Sequence, residues 1–274
     1  MKTLLVDPAR CLQCSNCWVS CKDEHCDNDW SPIAAPQGPH QWWIKVLEHE
    51  AASGARMKLE RTPVMCQQCA NASCMAVCPV DAIYRRDDGI VIIDPTKCTA
   101  CGACNDACPY GAIYTNEESG LSQKCTMCAH LLDAGWKQPR CVTACPNDAL
   151  QWVDTDDLTE ENLYAPLEQY KAETGNDPRV YYVNLPKPFV RGEVCSPAGD
   201  ASIAGVKVTA THQITGASYT DVTDSFGEFD VAGLKPGFYT VAFEKDGLTP
   251  KVIKNLDLRE AKNIGEVRLY VAAR

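Results

Sequence analysis

No stretch of this 274-residue sequence approaches the ~20 consecutive apolar residues that a membrane-spanning helix requires. The opening, MKTLLVDPARC, offers no secretory h-region, because its apolar run from Leu4 to Val6 is cut by Asp7 and Pro8. The chain is therefore expected to carry no membrane anchor and no address of its own. That favours the cytoplasm, with export beside a signal-bearing partner left open. Basic residues are also in short supply: 26 Lys and Arg stand against 36 Asp and Glu, for a formal charge of −10. The deficit argues against nucleic acid and anionic membrane surfaces as partners. It fits a soluble protein that docks on another protein. Cysteine vanishes after residue 195, so the C-terminal stretch has to fold without disulfide staples.

What is present in excess is cysteine before that point. Of 18 cysteines, sixteen fall in four groups of four between Cys11 and Cys145. Only Cys26 and Cys195 stand outside, and both read as ordinary thiols. The first group, Cys11, Cys14, Cys17 and Cys21, is spaced C-x2-C-x2-C-x3-C. The third, Cys98, Cys101, Cys104 and Cys108, repeats that spacing and adds Pro109. The second, Cys66, Cys69, Cys74 and Cys78, widens one gap to four residues and precedes Pro79. The fourth, Cys125, Cys128, Cys141 and Cys145, has twelve residues in its middle gap and precedes Pro146.

C-x2-C-x2-C-x3-C-P is the bacterial ferredoxin run for [4Fe–4S] clusters. Two-residue gaps let three successive sulfurs face one centre. The fourth cysteine is expected on the helix that follows, serving the cluster of a different group. CPVDAIY at 78–84, CPYGAIY at 108–114 and CPNDALQW at 145–152 then repeat one pattern: a turn after Cys-Pro, followed by a short strand. GIVIIDPTKC at 89–98 reads as the strand entering the third group. Zinc prefers paired C-x2-C hooks, often with His, and only the fourth group passes for one. Disulfides require neither the shared spacing nor the repeated proline.

CLQCSNCWVSCKDEH, the run from CQQC at 66 to GAIY at 114, and KCTMCAHLLDAGWKQPRCVTACPNDAL closely resemble the four-cluster iron–sulfur subunits of the dimethyl-sulfoxide-reductase family of molybdopterin oxidoreductases. The resemblance covers about residues 1–155, including Lys22 after the fourth cysteine. It implies that the first group pairs with the fourth and the second with the third. Cys11, Cys14, Cys17 and Cys145 are then expected to hold one cluster, and Cys125, Cys128, Cys141 and Cys21 its neighbour. Cys98, Cys101, Cys104 and Cys78 are expected to hold a third, and Cys66, Cys69, Cys74 and Cys108 the fourth. Four complete sets bound the occupancy from above, and three filled sites are compatible with the same residues. The resemblance also implies a large catalytic partner carrying Mo-bis(molybdopterin guanine dinucleotide), and no active site on this chain.

Residues 22–65 form a long insertion holding Trp30, Trp42, Trp43, His25, His40 and His49. WWIKVLEHE alternates like a strand. Its aromatics serve either to cover cluster surfaces within the chain, the reading favoured here, or to dock the large subunit. Trp136 and Lys137 are expected to pack beside the fourth group.

The proline-rich NLPKPFVRG at 184–192 reads as a linker. Beyond it, about seven short alternating runs divided by Gly, Pro and Asp predict a β-sandwich or barrel. TDSFGEFDVAGLKPGFYTVAFEKDGL resembles the prealbumin-like or carboxypeptidase-regulatory-like sandwich, with Gly227 and Gly237 in turns and Phe229, Leu234, Tyr239 and Val241 in the core. A structural or docking role is expected for it; carbohydrate binding lacks an aromatic platform. The expected fold is α+β: a duplicated bacterial ferredoxin-like domain over 1–187, then an all-β prealbumin-like seven-stranded domain over 188–274. A hydroxytransferase, a reductase or formate dehydrogenase, and a partner-binding protein with structural clusters all remain compatible with these motifs.

Overall fold

The computed structural model describes residues 1–53, 56–159, 161–198 and 201–272, with backbone alone for 49–53 and 56–58. The chain divides into two compact units. One comprises Met1–Leu47 with Arg61–Leu185, the other Glu48–Glu60 with Pro186–Arg274. The break after Leu185 lies two residues before the expected 187/188 boundary, and the middle of the 22–65 insertion groups with the second unit.

The first unit is closed by a four-stranded sheet in the order Leu150–Asp154, Lys2–Val6, Tyr181–Tyr182, Glu168–Gln169. Lys2 faces Asp154 and Val6 faces Leu150 in an antiparallel pair, so the start of the chain is zipped to the strand leaving the fourth cysteine group. The N-terminal ammonium adds an ion pair to Asp154 at 2.6 Å. Leu4, Val6, Trp43, Ile92, Leu150, Val180 and Tyr182 lie in one core beneath this sheet.

The duplication is visible in the backbone. Ile83–Arg85 pairs with Val91–Ile93, and Ile113–Thr115 pairs with Ser122–Lys124, in two antiparallel hairpins. Each Cys-Pro turn places its fourth residue in the left-handed region: Asp81 at φ 50°, Gly111 at 57° and Asp148 at 50°. Asp and Gly tolerate that conformation better than most residues.

The fourth cysteine sits on its helix in one group only. The helix Asn16–His25 carries Cys21, because Lys22 rather than proline follows and the helix runs on. Cys78, Cys108 and Cys145 lie just past the short helices Ser73–Ala76, Ala103–Ala107 and Arg140–Thr143. Proline disfavours helical backbone at the residue before it. Cys108 accordingly has φ −87° and ψ 107°.

The second unit holds seven strands from Val190 onward among the described residues. Val190–Cys195 lies between Glu228–Val231 and Lys262–Arg268 in one sheet. The other runs Ser218–Val222, Lys207–His212, Phe238–Glu244, Lys251–Asp257. Alternate residues, Phe229, Val231, Tyr239, Val241 and Phe243, fill the core, where Phe229 and Phe243 meet edge to face at 5.4 Å. The proline-rich stretch is not a free linker at its end. Phe189 is fully buried and Val190 already belongs to a strand, because its apolar residues supply core. Among the described residues, no helix is long and apolar enough to cross a membrane.

Candidate metal centres

Four cavities lie in the first unit, and sixteen thiols line them, four to each. Cys11, Cys14, Cys17 and Cys145 surround one of about 370 Å³. Cys21, Cys125, Cys128 and Cys141 surround a second of about 330 Å³. Cys66, Cys69, Cys74 and Cys108 surround a third of about 340 Å³. Cys78, Cys98, Cys101 and Cys104 surround a fourth of about 290 Å³. Each cavity takes three thiols from one sequence group and one from another, the first group exchanging with the fourth and the second with the third.

These donors suit a polynuclear cluster. All sixteen are free cysteines. Among the described residues, no three His, Cys, Asp or Glu side chains converge tightly enough for a single metal ion. The thiols stand apart around a space instead.

The loops pay for that arrangement in backbone strain. Gln13, Gln68, Ala100 and Met127, each just before the second cysteine of its group, have φ between 50° and 57°. Left-handed backbone is uncommon for such residues and gathers at functional sites. It turns amide N–H groups toward sulfur: Met127 N lies 3.4 Å from Cys125 Sγ, and Ala82 N lies 3.3 Å from Cys78 Sγ. Burial pushes Cys78 up, but the N–H groups of Val80, Ala82 and Ile83 outweigh it and hold the thiol below its ordinary value. At Cys17, Cys74, Cys69 and Cys128 burial dominates instead. It raises Cys17 and Cys74 to about 11 and Cys69 and Cys128 to about 12. Cys21 and Cys141, wholly enclosed, rise further. Thiolates in such places are costly until a metal compensates them.

The cavities adjoin in sequence. Cys17, in the first, raises Cys21 and Cys141 in the second. Cys66, in the third, raises Cys125 in the second, and the two pack in one cluster. Cys104, in the fourth, raises Cys74 in the third, and these also pack together. The order is thus Cys11 set, Cys21 set, Cys66 set, Cys78 set. The exposed thiols are Cys14 and Cys101, one in each terminal cavity.

The insertion covers the second cavity. His25 and Trp43 line it directly, both buried, with ring centroids 4.6 Å apart. His130 lies beside His25 at 5.1 Å, and Trp30 stacks on His130 at 4.3 Å. His130 Nε2 meets Glu24 Oε1 at 3.0 Å, and Arg140 reaches the other Glu24 oxygen at 3.2 Å. Trp42 stays part-exposed against Trp18, with the Lys22 ammonium 4.8 Å from its ring. The side chain of His49 lies outside the described residues. Trp136 is exposed under the Arg140 guanidinium and lines none of these cavities. Cys26 and Cys195 lie outside all four, Cys195 buried in its strand. Sequence reasoning missed the direct approach of His25 to the thiols; its place four residues after Cys21, one turn along the same helix, was the available signal.

Comparison with known proteins agrees with both units. Residues 57–155 match the 4Fe-4S dicluster domain family, and residues 190–269 match the carboxypeptidase regulatory-like domain family. The chain is 36% identical over 255 residues to the pyrogallol hydroxytransferase small subunit of Pelobacter acidigallici, covering 89% of this chain and 90% of that one. It is 35% identical over 205 residues to a putative dimethyl sulfoxide reductase iron–sulfur subunit of Halobacterium salinarum, covering 66% and 78%. It is 34% identical over 194 residues to a tetrathionate reductase subunit of Salmonella typhimurium, covering 68% and 74%. By its motifs, its two domain matches and these relatives, the chain belongs to the iron–sulfur electron-transfer subunits of the dimethyl-sulfoxide-reductase family of molybdopterin oxidoreductases.

Proposed function

We propose that the four cavities hold four [4Fe–4S] clusters, with the sixteen cysteines as iron ligands in the sets that line each cavity. The partition of the thiols into four separate tetrads carries this reading. The clusters supply one-electron storage; the chain supplies spacing, burial and N–H groups aimed at sulfur, which set the potentials. The adjoining order of the cavities gives a single path from the Cys14 end to the Cys101 end.

Catalysis belongs to a large partner subunit carrying Mo-bis(molybdopterin guanine dinucleotide), and the complex is of the pyrogallol–phloroglucinol transhydroxylase type. The match to the pyrogallol hydroxytransferase small subunit supports this choice: at 89% of the chain it is too long to end within the first 185 residues. The two reductase relatives cover only 66% and 68% of the chain. Moving a hydroxyl between phenols is redox-neutral overall, so the clusters serve to prime or reset the metal. The C-terminal sandwich has a structural or docking role.

Anaerobic co-purification from the native source, with metal analysis and assays of the intact complex, tests the proposal. Iron with molybdenum, a large subunit and turnover of phenols supports it. Turnover with a dye donor and no activity on phenols moves the complex to the reductase type. Iron without molybdenum or a partner overturns the molybdoenzyme reading.

A further inference from the structure

Lys124 is one of the largest fully enclosed side chains, 2% exposed. Its ammonium donates hydrogen bonds to the carbonyl oxygen of Val91 and, at 3.2 Å, to that of Cys125. Neither acceptor carries a charge, and among the described residues Lys124 makes no ion pair with a carboxylate. An enclosed cation with only neutral partners is expensive. Val91 lines the Cys66 cavity and Cys125 lines the Cys21 cavity. Gln68 spans the same gap, accepting from Val91 N at 2.8 Å and donating to the Cys125 carbonyl at 3.0 Å. The field of the ammonium reaches both sides. Burial pushes Cys74 and Cys125 up to about 11, and Lys124 pulls against it on both. Other cations near these cavities differ. Arg140 is paired with Glu24 and Asp23, and Lys22 and Arg85 are only part-buried.

We propose that Lys124 is a fixed countercharge shared by the two central cavities, raising the reduction potential of the clusters in both. A cation between two anionic centres favours the more negative, reduced state of each. The two central positions are thereby kept from becoming barriers between the terminal ones. This assignment rests on the reading of the cavities as cluster sites.

The test is an EPR-monitored redox titration of the anaerobically purified complex, wild type against Lys124→Met and Lys124→Arg, with iron counted in each. In Lys124→Met, two of the clusters are expected to become harder to reduce by tenfold or more, about 59 mV per tenfold for a one-electron couple. The other two hold their potentials, and Lys124→Arg stays close to wild type. Full iron content with all potentials unmoved in Lys124→Met overturns the assignment. If Lys124→Met does not assemble, Lys124→Gln is titrated against Lys124→Arg, and equal potentials overturn it. A pulsed-EPR measurement on protein labelled with 15Nζ-lysine covers the remaining case. Two clusters are expected to lose a nitrogen coupling between wild type and Lys124→Arg, and unchanged spectra overturn the proposal. Wild-type complex without iron or cluster signals removes the underlying reading instead.

Discussion

Nε2 of His25 lies 3.9 Å from Sγ of Cys128, in the wall of the most enclosed of the four thiol cavities. Burial, with His130 alongside, pushes the imidazole down to about 3, so it is neutral at physiological pH. Its Nδ1 is buried without a partner. With Cys128 as the iron-bound thiolate proposed above, the sulfur can only accept, which places the ring proton on Nε2.

Replacing His25 by Phe keeps the aromatic wall and removes that N–H. One hydrogen bond contributes about 1 kcal/mol. The cluster of the Cys21 set is expected to fall by about 40 mV for a one-electron couple. A redox titration followed by EPR checks this. Unchanged potentials at full iron content would show that His25 only packs.

Cys108 follows Cys98, Cys101 and Cys104 in sequence but lines the cavity of Cys66, Cys69 and Cys74. Cys108→Ser and Cys66→Ser should therefore abolish or alter the same EPR signal, and the double variant should affect no second one. Cys101→Ser should alter a different signal. Loss of a shared signal by Cys108→Ser and Cys101→Ser would refute the crossed pairing.

Trp43 seals the second cavity at 2% exposure, against His25. Trp43→Ala should cost about 3–5 kcal/mol of stability. It should also let air destroy that cluster ahead of the Cys66-set cluster, reversing the order set by burial in the wild type. Timed EPR after exposure to oxygen reads the order of loss. An unchanged order contradicts the sealing role.

In the second unit, Gly227 has φ 72°, and a Cβ there would stand 2.4 Å from the Val194 carbonyl oxygen. Gly227→Ala is expected to cost at least about 1–3 kcal/mol, combining a left-handed backbone with a clash. Calorimetric melting of the variant measures it; an unchanged melting temperature would contradict the turn assignment.

Much of this fold is legible in the sequence because metal spacing and turn chemistry are local. The Cys-Pro repeats foretell the strands Ile83–Arg85, Ile113–Thr115 and Leu150–Asp154, and the Gly- and Pro-punctuated alternation foretells the C-terminal strands. Where local reading went too far, proline decided. It puts Cys78, Cys108 and Cys145 past their helices, while Lys22 leaves Cys21 inside one. What the sequence hides is burial decided by distant partners. Lys124 reads as an ordinary charge beside Cys125, yet it is enclosed and its ammonium bonds the carbonyl of Val91, 33 residues away. His25 reads as one of several histidines in an insertion until the 103-residue separation from Cys128 is closed by folding.

The account stands most directly on what fills the four tetrads. Iron and acid-labile sulfide should be counted per chain in the anaerobically purified complex, with Mössbauer spectroscopy of the same sample. Four [4Fe–4S] clusters give about sixteen of each, in cubane environments alone. Zinc in place of iron, or iron without labile sulfide, would contradict it.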